Sequence, residues 1–179
     1  MRDLPCSLSR RRVFINSVNE THSFEETLLG MDAIVVGGGN TLNMMAIWKA
    51  QGIDTVLKKA YNRGIVLSGG SAGSVCWFLD GISDSRPKNL SIVQGLGFIP
   101  YSHCAHYHSQ VLRKPLYQED ILSGKMQAGY AMDDSAAVLF VNEKFSRSVS
   151  VSINNNAWFI SVVEGKLSEK LLAIDEILK

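Results

Sequence analysis

Short runs of consecutive apolar residues alternate, in the first half of the chain, with segments whose apolar residues recur at helical spacing. The runs at residues 13–15, 32–36 and 65–67 each end at turn residues, which is typical of buried strands. The segments between and after them predict helices at residues 23–29, 41–51, 53–62 and 72–79. Strands and helices that alternate in this way build a parallel sheet with helices on both faces. The pattern therefore predicts an α/β fold.

Capping residues support two of these helix boundaries. Ser23 precedes the first helix, and Glu26 stands three residues later, as in a capping box. Gly52 follows the helix at 41–51, where a left-handed residue commonly ends a helix.

The second half of the chain is richer in strand-like segments. These are residues 96–99, 128–132, 136–141, 149–153 and 157–163. Residues 116–126 predict a helix, residues 168–178 a terminal helix or tail, and residues 81–90 a polar loop. A chain of 179 residues with no repeat or linker indicates a single domain over residues 1–179.

The segment Gly69-Gly70-Ser71-Ala72-Gly73 matches the G-x-S-x-G pattern of a nucleophile elbow. It follows a predicted buried strand and precedes a predicted helix, which is the context that such an elbow requires. Glycines two positions before and after the serine let strand and helix approach without Cβ clashes. The Ala72 amide, at the start of the helix, would then point at a developing oxyanion. The alternative is a glycine-rich turn that binds phosphate or only packs.

A nucleophilic serine needs a base within hydrogen-bond reach and a carboxylate that orients the base. Three of the four histidines lie in the segment Ser102-His103-Cys104-Ala105-His106-Tyr107-His108, and His22 lies in an early loop. Asp133 and Asp134 follow a predicted strand, and the spacing does not choose between them. The competing carboxylates are Asp80, Asp84, Glu119 and Asp120.

The same histidine segment has a second interpretation. If it were one strand, Cys104, His106 and His108 would share a face, and such residues can hold zinc. No second cysteine pair or carboxylate cluster at ligand spacing accompanies them. A single catalytic histidine is the simpler hypothesis, with no metal.

Composition and charge exclude several classes of protein. The chain is 46% hydrophobic and 20% charged, with a net charge of +1, which does not favour nucleic acid as a partner. No apolar run approaches the ~18 residues that span a bilayer, so no membrane partner is expected. Three scattered cysteines argue against a disulfide framework and for a reducing, cytoplasmic compartment.

Three segments together carry a resemblance to a known family. Val36-Gly37-Gly38-Gly39-Asn40-Thr41-Leu42, Ser71-Ala72-Gly73 and Ala105-His106-Tyr107 resemble peptidase E, the α-aspartyl dipeptidase, and its relatives, including cyanophycinase. The resemblance spans roughly residues 13–165. It implies a flavodoxin-like, three-layer α/β/α fold with a mostly parallel sheet, related to glutamine amidotransferase domains. It also implies hydrolysis of peptides with an N-terminal aspartate, without metal or cofactor.

The resemblance also implies roles for individual residues. It favours His106 as the base and Asp134 as the acid beside the nucleophile Ser71. The oxyanion hole would use the amides of Ala72 and Gly39. Asn40 would hold the glycine turn or touch substrate, and Arg113, ahead of Lys114, is the candidate partner for an aspartyl carboxylate.

The resemblance leaves one structural unit unaccounted for. Peptidase E chains usually carry another strand-helix-strand unit before the position at which this chain begins. The chain is then expected to be a fragment, a mis-started reading frame, or a reduced member that pairs with another chain, for example as a homodimer. Three functions follow as hypotheses: an aspartyl dipeptidase acting on small peptides, a related amide hydrolase of cyanophycinase type, and a non-catalytic ligand-binding module.

Overall fold

The structure, a computed structural model, describes residues 6–13 and 23–178 of the chain. Its helices are α1 (Phe24–Leu29), α2 (Thr41–Gln51), α3 (Ile53–Asn62), α4 (Ala72–Val75) and α5 (Arg113–Leu122). Its strands are β1 (Ala33–Val36), β2 (Val66–Gly69), β3 (Phe78–Ser83), β4 (Ser91–Gln94), β5 (Ile99–Cys104), β6 (Gly129–Met132), β7 (Ala136–Val141), β8 (Lys144–Ser150), β9 (Ala157–Val163), β10 (Lys166–Leu172) and β11 (Ile174–Ile177).

The predicted caps of the first helices are confirmed. The Ser23 side chain accepts a hydrogen bond from the Glu26 amide, and the Glu26 carboxylate accepts one from the Ser23 amide. Gly52 adopts the left-handed conformation, with φ of 71°, between α2 and α3. Helices α2 and α3 have the predicted bounds because these signals are local and lie at the helix ends.

The strands form three sheets. The largest has the order β10-β9-β6-β5-β3-β4, and in it β3, β5 and β6 run parallel. Strands β1 and β2 form a separate parallel pair, and β7, β8 and β11 form a third sheet. The α/β class is therefore confirmed.

The prediction of a mostly parallel sheet is wrong. Within the described part of the chain, four strand pairs are parallel and four are antiparallel. Two-residue turns with positive φ, at Asn142-Glu143 and Glu164-Gly165, join β7 to β8 and β9 to β10. Turns of this kind can join only antiparallel neighbours, because a parallel pair needs a crossover of a dozen residues or more.

The helix predicted after the elbow is too long. Helix α4 has only four residues, and Phe78–Ser83 forms strand β3 between β4 and β5. Residues 81–83, predicted as part of a polar loop, are buried in that strand. A Cβ on Gly81 would lie 2.6 Å from the His103 carbonyl oxygen, so the close approach of β3 and β5 decides the structure here.

Three further predictions need correction. Residues 168–178 form most of β10 and β11 rather than a helix, because these strands pair with β9 and β8. Residues 96–98 lie outside the strands, and Gly97 has a φ of 68°. Val13 lies in no strand, and the rest of the strand predicted at residues 13–15 lies outside the described residues.

Two buried clusters hold the elements that carry the site. One contains Trp48, Leu57 and Trp77 and packs around α2 and α3. The other contains Tyr107 and Tyr117 and packs α5 against the six-stranded sheet. Because Trp77 follows the elbow helix, and Tyr107 directly follows His106, each cluster anchors one side of the site.

Candidate active site

Ser71 occupies the turn between β2 and α4 in a conformation that few L-residues adopt. Its φ is 57° and its ψ is −121°. Such a conformation costs of order 1–3 kcal/mol and persists only where surrounding contacts hold it. The elbow predicted from the sequence therefore has the strained backbone expected of a nucleophile turn.

The glycines on either side of Ser71 are required by close backbone approach. A Cβ on Gly69 would lie 2.3 Å from the Gly73 carbonyl oxygen and 2.5 Å from that of Val36. A Cβ on Gly73 would lie 2.1 Å from the same Val36 oxygen. Real Cβ atoms do not approach oxygen so closely, so β1, β2 and α4 can meet only with glycine at both positions.

The structure brings Ser71, His106 and Asp134 together in one chain of hydrogen bonds. The Oγ atom of Ser71 lies 2.9 Å from Nε2 of His106. The Nδ1 atom of His106 is hydrogen-bonded to Oδ1 of Asp134. This hydrogen bond is the main reason that the pKa of Asp134 is lowered from its usual value, so the carboxyl group is ionised. The three groups have the connectivity of a nucleophile, a base and an orienting acid.

His106 and Asp134 meet because they follow neighbouring parallel strands. His106 comes just after β5 and Asp134 just after β6, and Cys104 pairs with Ala131 near the ends of these strands. The Tyr107 amide donates to the Met132 carbonyl oxygen over 3.0 Å, which ties the two turns together. His106 itself has a φ of 58°. The carboxyl ends of β5 and β6 therefore converge at one edge of the sheet.

The two adjacent aspartates have different partners. Asp133 Oδ1 lies 2.8 Å from Nδ1 of His108, and its Oδ2 accepts a hydrogen bond from the Asn156 amide over 3.1 Å. Asp133 therefore holds the turn and the neighbouring loop, whereas Asp134 holds His106. The sequence leaves this choice open, and the hydrogen bonds distinguish the two carboxylates.

The site lies inside the segment by which the chain is related to known proteins. The sequence model of peptidase family S51 matches residues 6–148. The chain is also 36% identical to the uncharacterized peptidase YgaJ of Bacillus subtilis (strain 168) over 166 residues, which cover 93% of this chain and 70% of that protein. This chain belongs to peptidase family S51.

The chain is also similar to a protein of solved structure. It is a crystal structure from Listeria monocytogenes EGD-e of a protein named as a candidate peptidase E. The match has a TM-score of 0.48 and 21% identity, and it covers 86% of this chain and 67% of that one.

The glycine turn of this S51 chain lies against the elbow. A Cβ on Gly38 would lie 3.4 Å from Cβ and 3.9 Å from Oγ of Ser71. Gly39, the predicted oxyanion residue, has a φ of 146°. The Ala72 amide stands at the first position of α4, and among the turn and loop hydrogen bonds of the described residues none comes from it. Gly38 and the start of α4 thus lie beside the nucleophile.

Both polar atoms of the Asn40 side chain form hydrogen bonds within the protein. It is the N-cap of α2, and its Oδ1 accepts a hydrogen bond from the Asn43 amide over 2.9 Å. Its Nδ2 donates to the Ser85 carbonyl oxygen over 2.9 Å. Ser85 Oγ in turn accepts from the Leu42 amide. Asn40 therefore joins the start of α2 to the loop after β3.

Arg113 is buried rather than presented to solvent. Its side chain is 4% exposed, and Nη1 donates to the Ile82 carbonyl oxygen over 2.7 Å. Nε donates to Gln110 over 2.5 Å, and Nη2 lies 3.6 Å from a carboxylate oxygen of Asp84. The guanidinium group thus already has partners for each of its three nitrogens. This geometry does not support the prediction that Arg113 binds a substrate carboxylate directly.

The zinc interpretation of the histidine segment depended on a continuous strand, and β5 ends at Cys104. The ring nitrogens of His106 contact Ser71 and Asp134, and those of His108 contact Asp133 and Lys114. Over residues 6–13 and 23–178, no group of three or more His, Cys, Asp or Glu side chains is arranged to hold a metal ion. His22 lies outside the described residues.

The competing carboxylates lie elsewhere. Asp84 pairs with Arg113, and Asp120 pairs with Lys125 over 3.3 Å. Asp80 is buried in β3, which raises its pKa.

Within the part of the chain that the structure describes, no helix is long and apolar enough to cross a membrane.

One contact near the elbow, between Ser74 and His103, is not predicted from the sequence. Ser74 Oγ lies 2.7 Å from the Ser71 carbonyl oxygen and 2.9 Å from Nε2 of His103. In the sequence, His103 is only one of the alternative bases. The only local signal for Ser74 is its position three residues after the nucleophile.

Proposed function

We propose that this S51 chain is a serine peptidase in which Ser71 is the nucleophile, His106 the general base and Asp134 the orienting acid. The observation that carries the proposal is the hydrogen-bond chain Ser71–His106–Asp134, which begins at a serine with strained backbone dihedrals. Membership of a peptidase family supports the same reaction class.

In the proposed reaction, Ser71 Oγ attacks the carbonyl carbon of the scissile peptide bond. Its proton passes to Nε2 of His106, and the Asp134 carboxylate stabilises the imidazolium that forms. The amides of Ala72 and Gly39 donate to the oxyanion. The C–N bond then breaks, Nε2 gives its proton to the leaving amine, and an acyl-Ser71 ester remains. Water, activated by His106, hydrolyses this ester and restores the serine.

We propose that the substrates are dipeptides or short peptides with an N-terminal aspartate. The support is the resemblance of the motifs at Gly37-Gly38-Gly39-Asn40-Thr41 and Ser71-Ala72-Gly73 to those of peptidase E. Asn40 contributes indirectly, since its side chain caps α2 directly after the glycine turn and bonds to the loop after β3. We assign Arg113 to the support of the loop after β3 rather than to direct substrate contact.

The deciding experiment incubates the purified protein with Asp-Leu and measures released leucine. Glu-Leu, Ala-Leu and a cyanophycin-type polymer form the specificity panel. Ser71→Ala is the inactive control, and Ser146→Ala, which changes an exposed serine on β8, is the matched active control. We expect hydrolysis of Asp-Leu by the wild type and by Ser146→Ala only.

Other results would favour the other hypotheses. Hydrolysis of the polymer in preference to Asp-Leu would replace the dipeptidase proposal by a cyanophycinase-type activity. Thermal stabilisation of the wild type by aspartyl ligands without turnover would indicate a binding module. Cleavage of Asp-Leu by Ser71→Ala at the wild-type rate would contradict the nucleophile assignment.

We also propose a flavodoxin-like layering, which the same resemblance implies, and, separately, a homodimer. A crystal structure would test the layering. Size-exclusion chromatography with light scattering would test the dimer, and a mass of one chain at micromolar concentration would contradict it.

A further inference from the structure

A second serine–histidine pair lies next to the nucleophile and is not used by the proposed reaction. The Oγ atom of Ser74 is 2.9 Å from Nε2 of His103. His103 is completely buried in β5, where its ring stacks on Phe78 with centroids 4.5 Å apart. A ring with no exposed surface cannot reach a substrate, so this pair acts on the protein itself.

The direction of the hydrogen bonds follows from the acceptors. Nδ1 of His103 lies 2.9 Å from the Tyr130 carbonyl oxygen, which can only accept, so Nδ1 carries a proton. Burial lowers the pKa of His103 to about 4, so the ring is neutral and Nε2 carries none. Nε2 therefore accepts from the Ser74 hydroxyl. That hydroxyl also lies 2.7 Å from the Ser71 carbonyl oxygen, so its single proton is shared between two acceptors.

The pair joins the two elements that carry the nucleophile and the base. Ser74 stands three residues after Ser71, and His103 stands three residues before His106. The hydrogen-bond chain thus runs from the Tyr130 carbonyl in β6, through His103 in β5, to Ser74 and the Ser71 carbonyl. Like the Ser71–His106 hydrogen bond, it connects the elbow to the C-terminal end of β5 and the turn that follows.

We propose that Ser74 and His103 are a positioning pair, which holds the Ser71 carbonyl and thereby keeps Ser71 Oγ at hydrogen-bond distance from His106. Ser71 needs such restraint because its φ is 57°, and without it the backbone would relax toward a commoner conformation. The inference rests on the proposed roles of Ser71 and His106. Neither Ser74 nor His103 exchanges a proton with substrate.

The test measures the reactivity of Ser71 with a fluorophosphonate probe, which bonds to the serine oxygen as fluoride leaves. The variants are Ser74→Ala and His103→Asn. The asparagine keeps a donor toward the Tyr130 carbonyl but removes the acceptor for Ser74. Ser102→Ala is the matched control, since Ser102 is a buried serine on the same strand whose hydroxyl bonds to Tyr117 and Gln127 instead.

We expect the second-order labelling rate to fall about 100-fold in each variant, as a misplacement of about 1 Å can cause, and Ser102→Ala to keep the wild-type rate. With a hydrolysed substrate, kcat should fall while KM stays within a few-fold. Crystal structures should show a longer Ser71 Oγ–His106 Nε2 distance in Ser74→Ala. Equal labelling rates of folded Ser74→Ala and wild type would overturn the positioning role.

The proposed function and the positioning pair fail in different ways. If the wild type neither labels at Ser71 nor hydrolyses any peptide, the proposed function is wrong. If the wild type labels and Ser74→Ala labels equally fast, only the positioning pair is wrong. If His103→Asn does not fold, Ser74→Ala decides alone, because it removes only one oxygen atom.

Discussion

The carboxylate of Asp134 accepts a hydrogen bond from Nδ1 of His106, the residue whose other ring nitrogen contacts Ser71. The adjacent carboxylate, Asp133, binds His108. The two neighbouring aspartates therefore contact different histidines, and substitution can tell them apart.

Asp134→Asn and Asp133→Asn form a matched pair for the orienting acid. The amide introduced by Asp134→Asn cannot hold the Nδ1–H tautomer of His106, so we expect kcat to fall by about four orders of magnitude, as in the serine-protease example of such a change. Asp133→Asn leaves the His106 contact intact and should cost less than about tenfold by the same reasoning. The measurement is kcat for Asp-Leu in mildly alkaline buffer. Equal losses in both variants would contradict the assignment of Asp134.

Gly69→Ala and Gly70→Ala test the steric basis of the elbow. The added Cβ at position 69 would overlap the carbonyl oxygens of Gly73 and Val36, whereas nothing lies within 4 Å of a Cβ at position 70. We expect Gly69→Ala to lower the free energy of unfolding by about 3 kcal/mol or to prevent folding. Gly70→Ala should unfold like the wild type. Urea denaturation followed by circular dichroism would show the difference, and a stable Gly69→Ala would refute the close packing.

His103 should make stability depend on pH. Its pKa is lowered by burial to about 4 in the folded protein, against 6.5 for the unperturbed group. The unfolded chain therefore binds more protons between these values, so stability rises with pH through this window and is lost as pH falls from 6.5 toward 4. In His103→Asn, the free energy of unfolding should depend on pH less steeply in this range, by the equivalent of about one proton. Unfolding free energies of both proteins at closely spaced pH values measure it, and parallel curves would contradict the neutral buried ring.

Asn40 should affect stability through its cap. Asn40→Ala removes the acceptor for the Asn43 amide and the donor to Ser85, and we expect a loss of about 1 kcal/mol or more. Asn40→Asp keeps the cap and should lose less. Thermal unfolding of both variants, with hydrolysis rates measured well below the transition, separates the two bonds. Greater stability of Asn40→Ala than of Asn40→Asp would show that the cap is unimportant.

Local signals in the sequence were sufficient for several parts of this protein. The capping box at Ser23 and Glu26 and the left-handed Gly52 depend on neighbouring residues, so the start of α1 and the boundary between α2 and α3 were predictable. The elbow at Ser71 was predictable from the G-x-S-x-G pattern itself, although the contacts that require Gly69 and Gly73 include Val36 of the distant strand β1.

Only the tertiary structure decided the features that depend on distant segments. Residues 78–83 follow the elbow as a strand because β4 and β5 bind them on both sides, which no local pattern shows. The parallel register of β5 and β6 brings His106 to Asp134 and leaves Asp133 with His108. The hydrogen bond from Arg113 to the Ile82 carbonyl oxygen and the Ser74–His103 contact likewise join residues that are far apart in the chain. The sequence by itself thus determined the boundaries of α2 and α3 and the elbow, whereas strand pairing determined which side chains meet there.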